Sequence, residues 1–348
     1  EEARMWAYAL FSYSPESLFG PHFSQTAIGY AFAESGYLLQ LAHFGGIGTL
    51  NFATAVIAAT AALLAHAARR RALHLPARIA FVVALLIVLP PFAARQERAA
   101  PPSFRVALIS LAGVPDAPRI AALMREAAPG SPDLIVIPES DTLEYFFPDE
   151  NERKNILSSV FAEKEGLVMS AGYENAGAGL RSILSYTDSG GHRIARYEKM
   201  FLMPQAEYYP LAALPLFSLS GDPKMTEYVA ASGHRLTRGA TLATVPFQDS
   251  IIGGLICSEL LSPHLYKELV ARHGATVLVN LANPSWFHGS RSYFDKTVQI
   301  AKVQAVTNRT PVFVANNGSP SFAVGPNGTL LAKGTWGEDE LLILDIGG

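Results

Sequence analysis

Three side chains of this 348-residue chain stand where an apolar run gives way to polar sequence, and each is of a type that can do chemistry. Cys257, the only cysteine, closes Ile-Ile-Gly-Gly-Leu-Ile and is followed by Ser258 and Glu259. A helix-like stretch, Pro263 to Arg272, comes next, so the thiol is predicted in a sharp strand-to-helix turn where N–H groups and the helix dipole favour a thiolate. Read by itself, a lone cysteine is equally a small buried hydrophobe. Glu139 ends Leu-Ile-Val-Ile-Pro, and Pro138 must force the chain out of the strand ladder. A carboxylate between apolar walls has its pKa raised, which suits a general base for a thiol, although helix caps and surface acids have the same look. Lys199 is a lone cation in Tyr-Glu-Lys-Met-Phe-Leu-Met-Pro, placed either to stabilise an oxyanion or to snorkel at a surface.

Alternating strand-like and helix-like runs must position these groups. Strands are predicted at Phe104 to Leu111, Leu134 to Ile137, Leu167 to Gly172, Ser182 to Tyr186, His192 to Tyr197, Ile251 to Ile256, Val277 to Leu281, Val312 to Ala315 and Phe322 to Val324. Helices are predicted at Pro118 to Ala128, Glu152 to Glu165, Pro263 to Arg272 and Tyr293 to Thr307. The pattern argues for an α/β sandwich with helices covering sheets.

The residues before Pro101-Pro102 have another character. Hydrophobic residues make up 49% of the whole chain and charged ones 16%, which implies a membrane component. Ile47 to Ala68 is an uncharged run of about 22 residues, the length that crosses a bilayer as a helix, and Ile79 to Ala94 is a shorter second run. Arg69, Arg70, Arg71 and Arg78 lie between them with no acid, so the intervening loop is expected in the cytoplasm and the chain after Arg98 across the membrane. Glu1 to Gln40, rich in aromatics, suits interfacial or re-entrant segments. We therefore expect a membrane region over 1–98 and a catalytic domain over 99–348. With 27 basic and 30 acidic side chains there is no footprint for nucleic acid, and the scattered histidines show no ligand spacing, so neither a metal nor another cofactor is expected.

Glu139, Lys199 and Cys257, in this order, resemble the Glu-Lys-Cys triad of the nitrilase (carbon–nitrogen hydrolase) superfamily. The flanking residues are similar to those of its membrane branch, the apolipoprotein N-acyltransferases: Lys199 to Pro210 with Glu207 inside it, Cys257-Ser-Glu259, Asn283-Pro-Ser-Trp286-Phe287, and Ala315-Asn-Asn-Gly318 followed by Gly325-Pro-Asn-Gly328. The chain departs from that branch at Ser258, Gln205-Ala206, Ile137, Thr307 and Val314, in a way similar to nitrilase-type membrane proteins of plasmid conjugal transfer.

The resemblance implies an α-β-β-α sandwich attached to N-terminal transmembrane helices, in a multi-pass protein of the bacterial inner membrane with its catalytic domain on the periplasmic side. It implies that Glu139 deprotonates Cys257, that Lys199 and a backbone N–H hold the oxyanion, and that Glu207 and Glu259 support the site while Trp286 and Phe287 wall the pocket. The implied reaction moves a fatty acyl group from a phospholipid donor through a cysteine thioester to an amine or lipoprotein acceptor. Two other outcomes stay open: an amidase-like hydrolase that passes the acyl group to water, and a conjugal-transfer accessory protein that uses the sandwich as a binding module.

Overall fold

Strands that are apolar on both faces must be covered on both. In the computed structural model, which describes residues 2–70, 104–162, 164–176, 179–213 and 236–346 with a few single positions between them, two six-stranded sheets meet this need by packing on each other and carrying helices outside. The first sheet has the order β12-β1-β2-β3-β4-β5 and the second β11-β10-β9-β8-β7-β6. In chain order the strands are β1 (Phe104–Ser110), β2 (Leu134–Glu139), β3 (Leu167–Ala176), β4 (Gly179–Asp188), β5 (Arg193–Glu198), β6 (Thr244–Phe247), β7 (Ser250–Ile256), β8 (Val277–Ala282), β9 (Val312–Asn316), β10 (Phe322–Val324), β11 (Leu330–Lys333) and β12 (Glu340–Ile346). The helices are α1 (Glu2–Phe11), α2 (Ala42–Arg70), α3 (Ala117–Ala127), α4 (Glu150–Phe161), α5 (Pro263–Ala271) and α6 (Arg291–Asn308), with a single helical turn at Leu143–Phe146.

The period-2 geometry of a strand divides each run between two cores. Val106, Leu108 and Val136 face the second sheet and share a core with Leu255, Val277 and Val279. Their neighbours Ala107, Ile109, Ile135 and Ile137 face outward onto Ile120, Leu123 and Met124 of α3 and Leu157 and Val160 of α4. Helix starts follow their caps, with Asp116 accepting from the Arg119 N–H at 2.9 Å and Asp149 from the Glu152 N–H at 2.8 Å. The sheets approach closely at Gly254, where a Cβ would lie 2.5 Å from Met169 Cε, and its N–H donates across the sandwich to Tyr186 Oη at 2.9 Å.

The N-terminal residues join this core. Tyr30, Leu39, Leu41, Leu50 and Ala53 are buried with the residues of the second sheet and α6. The segment expected to be interfacial or re-entrant forms α1 and two 3-10 turns, Ile28–Glu34 and Leu38–Leu41. Helix α2 is kinked at Gly45 and Gly46, and the φ of +62° at Gly46 is a left-handed backbone that favours glycine. The segment Leu38–Arg69 is long and apolar enough to cross a membrane, with a mean hydropathy of 1.8 and only 28% of its most apolar stretch buried. Among the described residues it alone meets that test. The expected second run lies outside the described residues apart from 79 and 81–83, as do most of the arginine loop and Pro101-Pro102.

Candidate active site

Each of the three chemically capable side chains sits where a strand lets go of its sheet. Pro138 has no N–H to offer β3, and the β2–β3 register shifts between Val136 and Glu139, so the buried Glu139 side chain is turned away from the regular pleat. Lys199 follows β5 directly, and its N–H donates to Ser182 O at 2.9 Å. Cys257 follows β7 with a φ of +47° and opens the 3-10 turn Cys257–Leu261. A left-handed cysteine at a strand end is a strained conformation held by its surroundings. One of the bonds that hold it comes from Asn280 Nδ2, which donates to Cys257 O at 3.4 Å.

These turns bring Glu139, Lys199 and Cys257 together. The Cys257 thiol and the Asn283 backbone N–H lie near enough to the Glu139 carboxylate to favour its charged form. Lys199 is only 1% exposed, which settles its ambiguity in favour of a buried charge, and its Nζ donates to Glu207 Oε1 at 2.6 Å. Glu207 Oε2 in turn accepts from the Met203 N–H at 2.6 Å.

The electrostatics correct one expectation. Burial pushes the Cys257 thiol up, the Glu139 charge adds to that, and Lys199 opposes it, so the resting group is a thiol and no thiolate is preformed. The reason is visible in the turn. The rest of the 3-10 turn, Ser258 to Leu261, and Ser262 separate Cys257 from α5, which begins only at Pro263, and the Glu139 and Glu207 carboxylates both oppose a charge on the sulfur. Burial also raises Glu139, with Lys199 pulling it back and Glu207 pushing it further up. For Lys199, burial opposes the charge, but the Glu207 and Glu139 carboxylates outweigh it and hold the ammonium protonated. The site thus contains a thiol, a base of raised pKa in contact with it, and a fixed cation.

Glu259 lies beside the nucleophile in sequence but is bonded away from it. Its Oε1 accepts from Tyr197 Oη at 2.6 Å, Met200 N at 2.8 Å and Phe201 N at 3.0 Å, and its Oε2 accepts from Ile256 N at 2.8 Å. Ser258 Oγ donates to Phe201 O at 3.0 Å. Together they tie the turn carrying Cys257 to the loop carrying Lys199. The pocket at Cys257, a narrow space of about 20 Å³, is lined among others by Asn280, Pro284, Tyr293, Phe294 and Asn316. Trp286 and Phe287 stand outside that lining and are 72% and 42% exposed, and Phe287 reaches the pocket only by stacking on Tyr293 with ring centroids 3.6 Å apart. Asn280, the Asn283 N–H and Tyr293 escaped the sequence reading because only the register of β8 and the start of α6 bring them to the sulfur. Among the described residues no group of three or more His, Cys, Asp or Glu side chains is placed to hold a metal ion.

The chain is similar to known proteins in both sequence and fold. Residues 105–347 match the sequence model of the carbon–nitrogen hydrolases. Among characterised sequences the chain is similar to the apolipoprotein N-acyltransferase of Geobacter metallireducens, 32% identical over 206 residues, covering 58% of this chain and 37% of the relative. It is also similar to that of Aquifex aeolicus, 26% identical, covering 64% of this chain and 47% of the relative. The chain therefore spans less than half the length of these relatives. Among solved structures, the carbon–nitrogen hydrolase of Helicobacter pylori superposes with a TM-score of 0.53 at 16% identity, over 70% of this chain and 89% of that one. Nit3 of Saccharomyces cerevisiae, a nitrilase superfamily member, gives 0.51 at 16%, over 72% and 92%. At these identities the two structures establish the shared sandwich fold.

Proposed function

The chain belongs to the carbon–nitrogen hydrolase family, and from that premise we propose that it is a membrane-bound acyltransferase of the apolipoprotein N-acyltransferase kind. In this reading Cys257 carries a fatty acyl group from a phospholipid to an amine. Glu139 takes the thiol proton as the sulfur attacks the ester carbonyl, leaving the electron pair on sulfur to form the C–S bond. The Lys199 ammonium, with the Ser258 N–H, stabilises the oxyanion of the tetrahedral adduct. Collapse expels the lysophospholipid alkoxide, which takes the proton held on Glu139, and the acyl thioester remains. An amine then attacks, Glu139 takes the amine proton, and the sulfur leaves as it recovers that proton, which restores the thiol and the carboxylate. Glu207 keeps Lys199 charged and in place, while Glu259 positions the two catalytic loops; Trp286 and Phe287 present apolar surface beside the pocket.

The observation that carries this reading is the shared core of α2 and the sandwich. An enzyme acting on soluble amides gains nothing from a half-exposed apolar helix built into its catalytic domain, whereas a lipid substrate has to be met at a bilayer. The same reading sets the protein in the bacterial inner membrane as a multi-pass chain with the sandwich in the periplasm, and the acceptor as the amine of a lipoprotein.

The test is intact-protein mass spectrometry of the detergent-purified chain after incubation with phospholipid. A hydroxylamine-labile fatty-acyl increment on wild type and none on Cys257→Ala is the expected result. No increment, together with release of ammonia from small amides, would replace the acyltransferase by an amidase.

A further inference from the structure

We propose that Tyr173 is a positioning residue for Glu139: its phenol donates to the carboxylate, keeps it ionised and aims its second oxygen at Cys257. The proposal rests on the assignment of Glu139 as the base. Tyr173 lies on β3, a strand that read as ordinary sheet, and nothing in its sequence neighbourhood marks it. Three features of the fold deliver it to the site. Gly172, just before it, packs so closely under the turn after Glu139 that a Cβ would lie 2.7 Å from both Asp141 Oδ1 and Thr142 N. The Glu139 turn and the end of β3 are thus in contact, which a larger residue at 172 would prevent. Next, Tyr173 pairs directly with Ser182, whose carbonyl holds the Lys199 N–H at 2.9 Å, so the same register sets Tyr173 opposite the residue that fixes the Lys199 backbone. Finally, the phenol reaches Glu139, with Oη donating to Oε1 at 3.5 Å. That bond is long for a resting contact, and hydrogen bonds at catalytic groups tighten when substrate closes the site.

The chemistry of the contact is one-sided. The Tyr173 proton is held fast, because the hydroxyl end is desolvated at the site although the residue is part exposed, and this and then the Glu139 charge push its pKa up, so the phenol serves as a donor and does not compete as a base. Glu139 has the opposite problem. Burial favours its neutral form, and a neutral carboxyl cannot take the proton of Cys257. A donor directed at one oxygen stabilises the anion and leaves the other oxygen for the thiol. Lys199 and the Asn283 N–H act in the same direction, so Tyr173 tunes the pH at which the base becomes available.

The experiment follows the rate of Cys257 alkylation by iodoacetamide against pH in the full-length, detergent-solubilised chain, read by mass spectrometry, for wild type, Tyr173→Phe and Glu139→Gln. Tyr173→Phe keeps the ring, and Tyr173 is 45% exposed, so its melting temperature should match wild type and confirm folding. Loss of a donor raises the pKa of the carboxylate. The acid limb of the profile should therefore move up by about one pH unit, making the variant about tenfold slower below the wild-type midpoint and equal to it at high pH. A Tyr173→Phe profile superimposable on wild type would overturn the proposal, and so would one scaled down equally at every pH. Glu139→Gln separates the two layers of the argument: it should lose the acid limb altogether. If it instead keeps the wild-type profile, the assignment of the base falls, whatever Tyr173 does.

Discussion

Replacing Lys199 by methionine tests whether the charges of the site form one unit. The lysine is 1% exposed, its ammonium is 2.6 Å from Glu207 Oε1, and Glu139 and Cys257 lie around it. Methionine matches the stem but removes the cation, leaving Glu207 as a buried carboxylate whose partners are reduced to the Met203 N–H. Breaking a buried pair from one side costs about 3–5 kcal/mol. At about 2–4 °C per kcal/mol for a domain of this size, Lys199→Met should melt about 6–20 °C below wild type. Glu207→Gln alone keeps an amide oxygen for Nζ but turns its NH2 towards the Met203 N–H, at a cost of about 1–3 kcal/mol. The double variant has no unpaired charge between these two positions, and Glu139, already raised, can hold a proton instead. Its stability should lie above that of Lys199→Met, with a coupling of at least about 2 kcal/mol. Neither Lys199 variant should accumulate acyl-enzyme. Thermal unfolding in detergent reads the first set of numbers and intact mass the second. A Lys199→Met protein that melts within about 2 °C of wild type, or a double variant whose loss is the sum of the single losses, refutes the claim that a buried ion pair organises this site.

Three other outcomes are expected. Glu139→Gln should slow thioester formation by about 10²- to 10⁴-fold, the usual worth of a general base. Because burial raises the folded-state pKa of Glu139, the stability it contributes is present below the unfolded carboxyl pKa and lost as pH rises through its folded value. The glutamine variant should therefore melt at or above wild type at neutral pH, with the gap closing on acidification, and a variant less stable at neutral pH would contradict the raised pKa. For topology, a cysteine placed between Arg71 and Arg78 in a Cys257→Ala background should resist an impermeant thiol reagent applied from the periplasmic side. Labelling from that side would reverse the proposed orientation.

The sequence announced the reactive groups because each ends an apolar run. A buried strand must release its chain somewhere, and Pro138, the polar residues after Ile256 and the lone Lys199 mark those points. The central strands were legible for a related reason: β2, β7 and β8 are apolar on both faces, so composition alone betrays them. Of the four sheet edges only β5 was, as the run His192 to Tyr197. β11 is largely exposed, β6 contains Pro246, and β12 alternates only weakly, so none carries the burial that makes a strand readable. The expected thiolate is opposed by burial and by the Glu139 charge, neither of which shows in the residues around Cys257, and a 3-10 turn stands between Cys257 and α5. Glu259 shows the converse limit. Its position beside Cys257 suggested work at the sulfur, while its bonds run to Tyr197, Met200, Phe201 and Ile256, which only the folded arrangement reveals.

The division of the chain by composition near residue 98 is also not a division of its core. Ser24 donates through N to Leu261 O at 3.2 Å and through Oγ to the same oxygen at 2.6 Å, while His22 Nδ1 lies 2.7 Å from Ser262 Oγ. Leu261 ends the turn that Cys257 begins. The His22 ring lies against Phe201, with centroids 5.6 Å apart, and Phe201 belongs to the Lys199 loop that Glu259 ties in place. Burial, with His264 adding to it, lowers the pKa of His22 to about 4, so this contact is made by a neutral ring at neutral pH. Two catalytic loops are thus fastened to each other by a buried carboxylate and to the residues preceding α2 by a seryl hydroxyl and an uncharged imidazole. Removing those residues would take Tyr30 and Leu39 out of the core, uncover Leu50 and free the end of the turn that carries Cys257. The membrane-proximal segment is therefore part of what shapes the site, in addition to whatever anchoring α2 supplies.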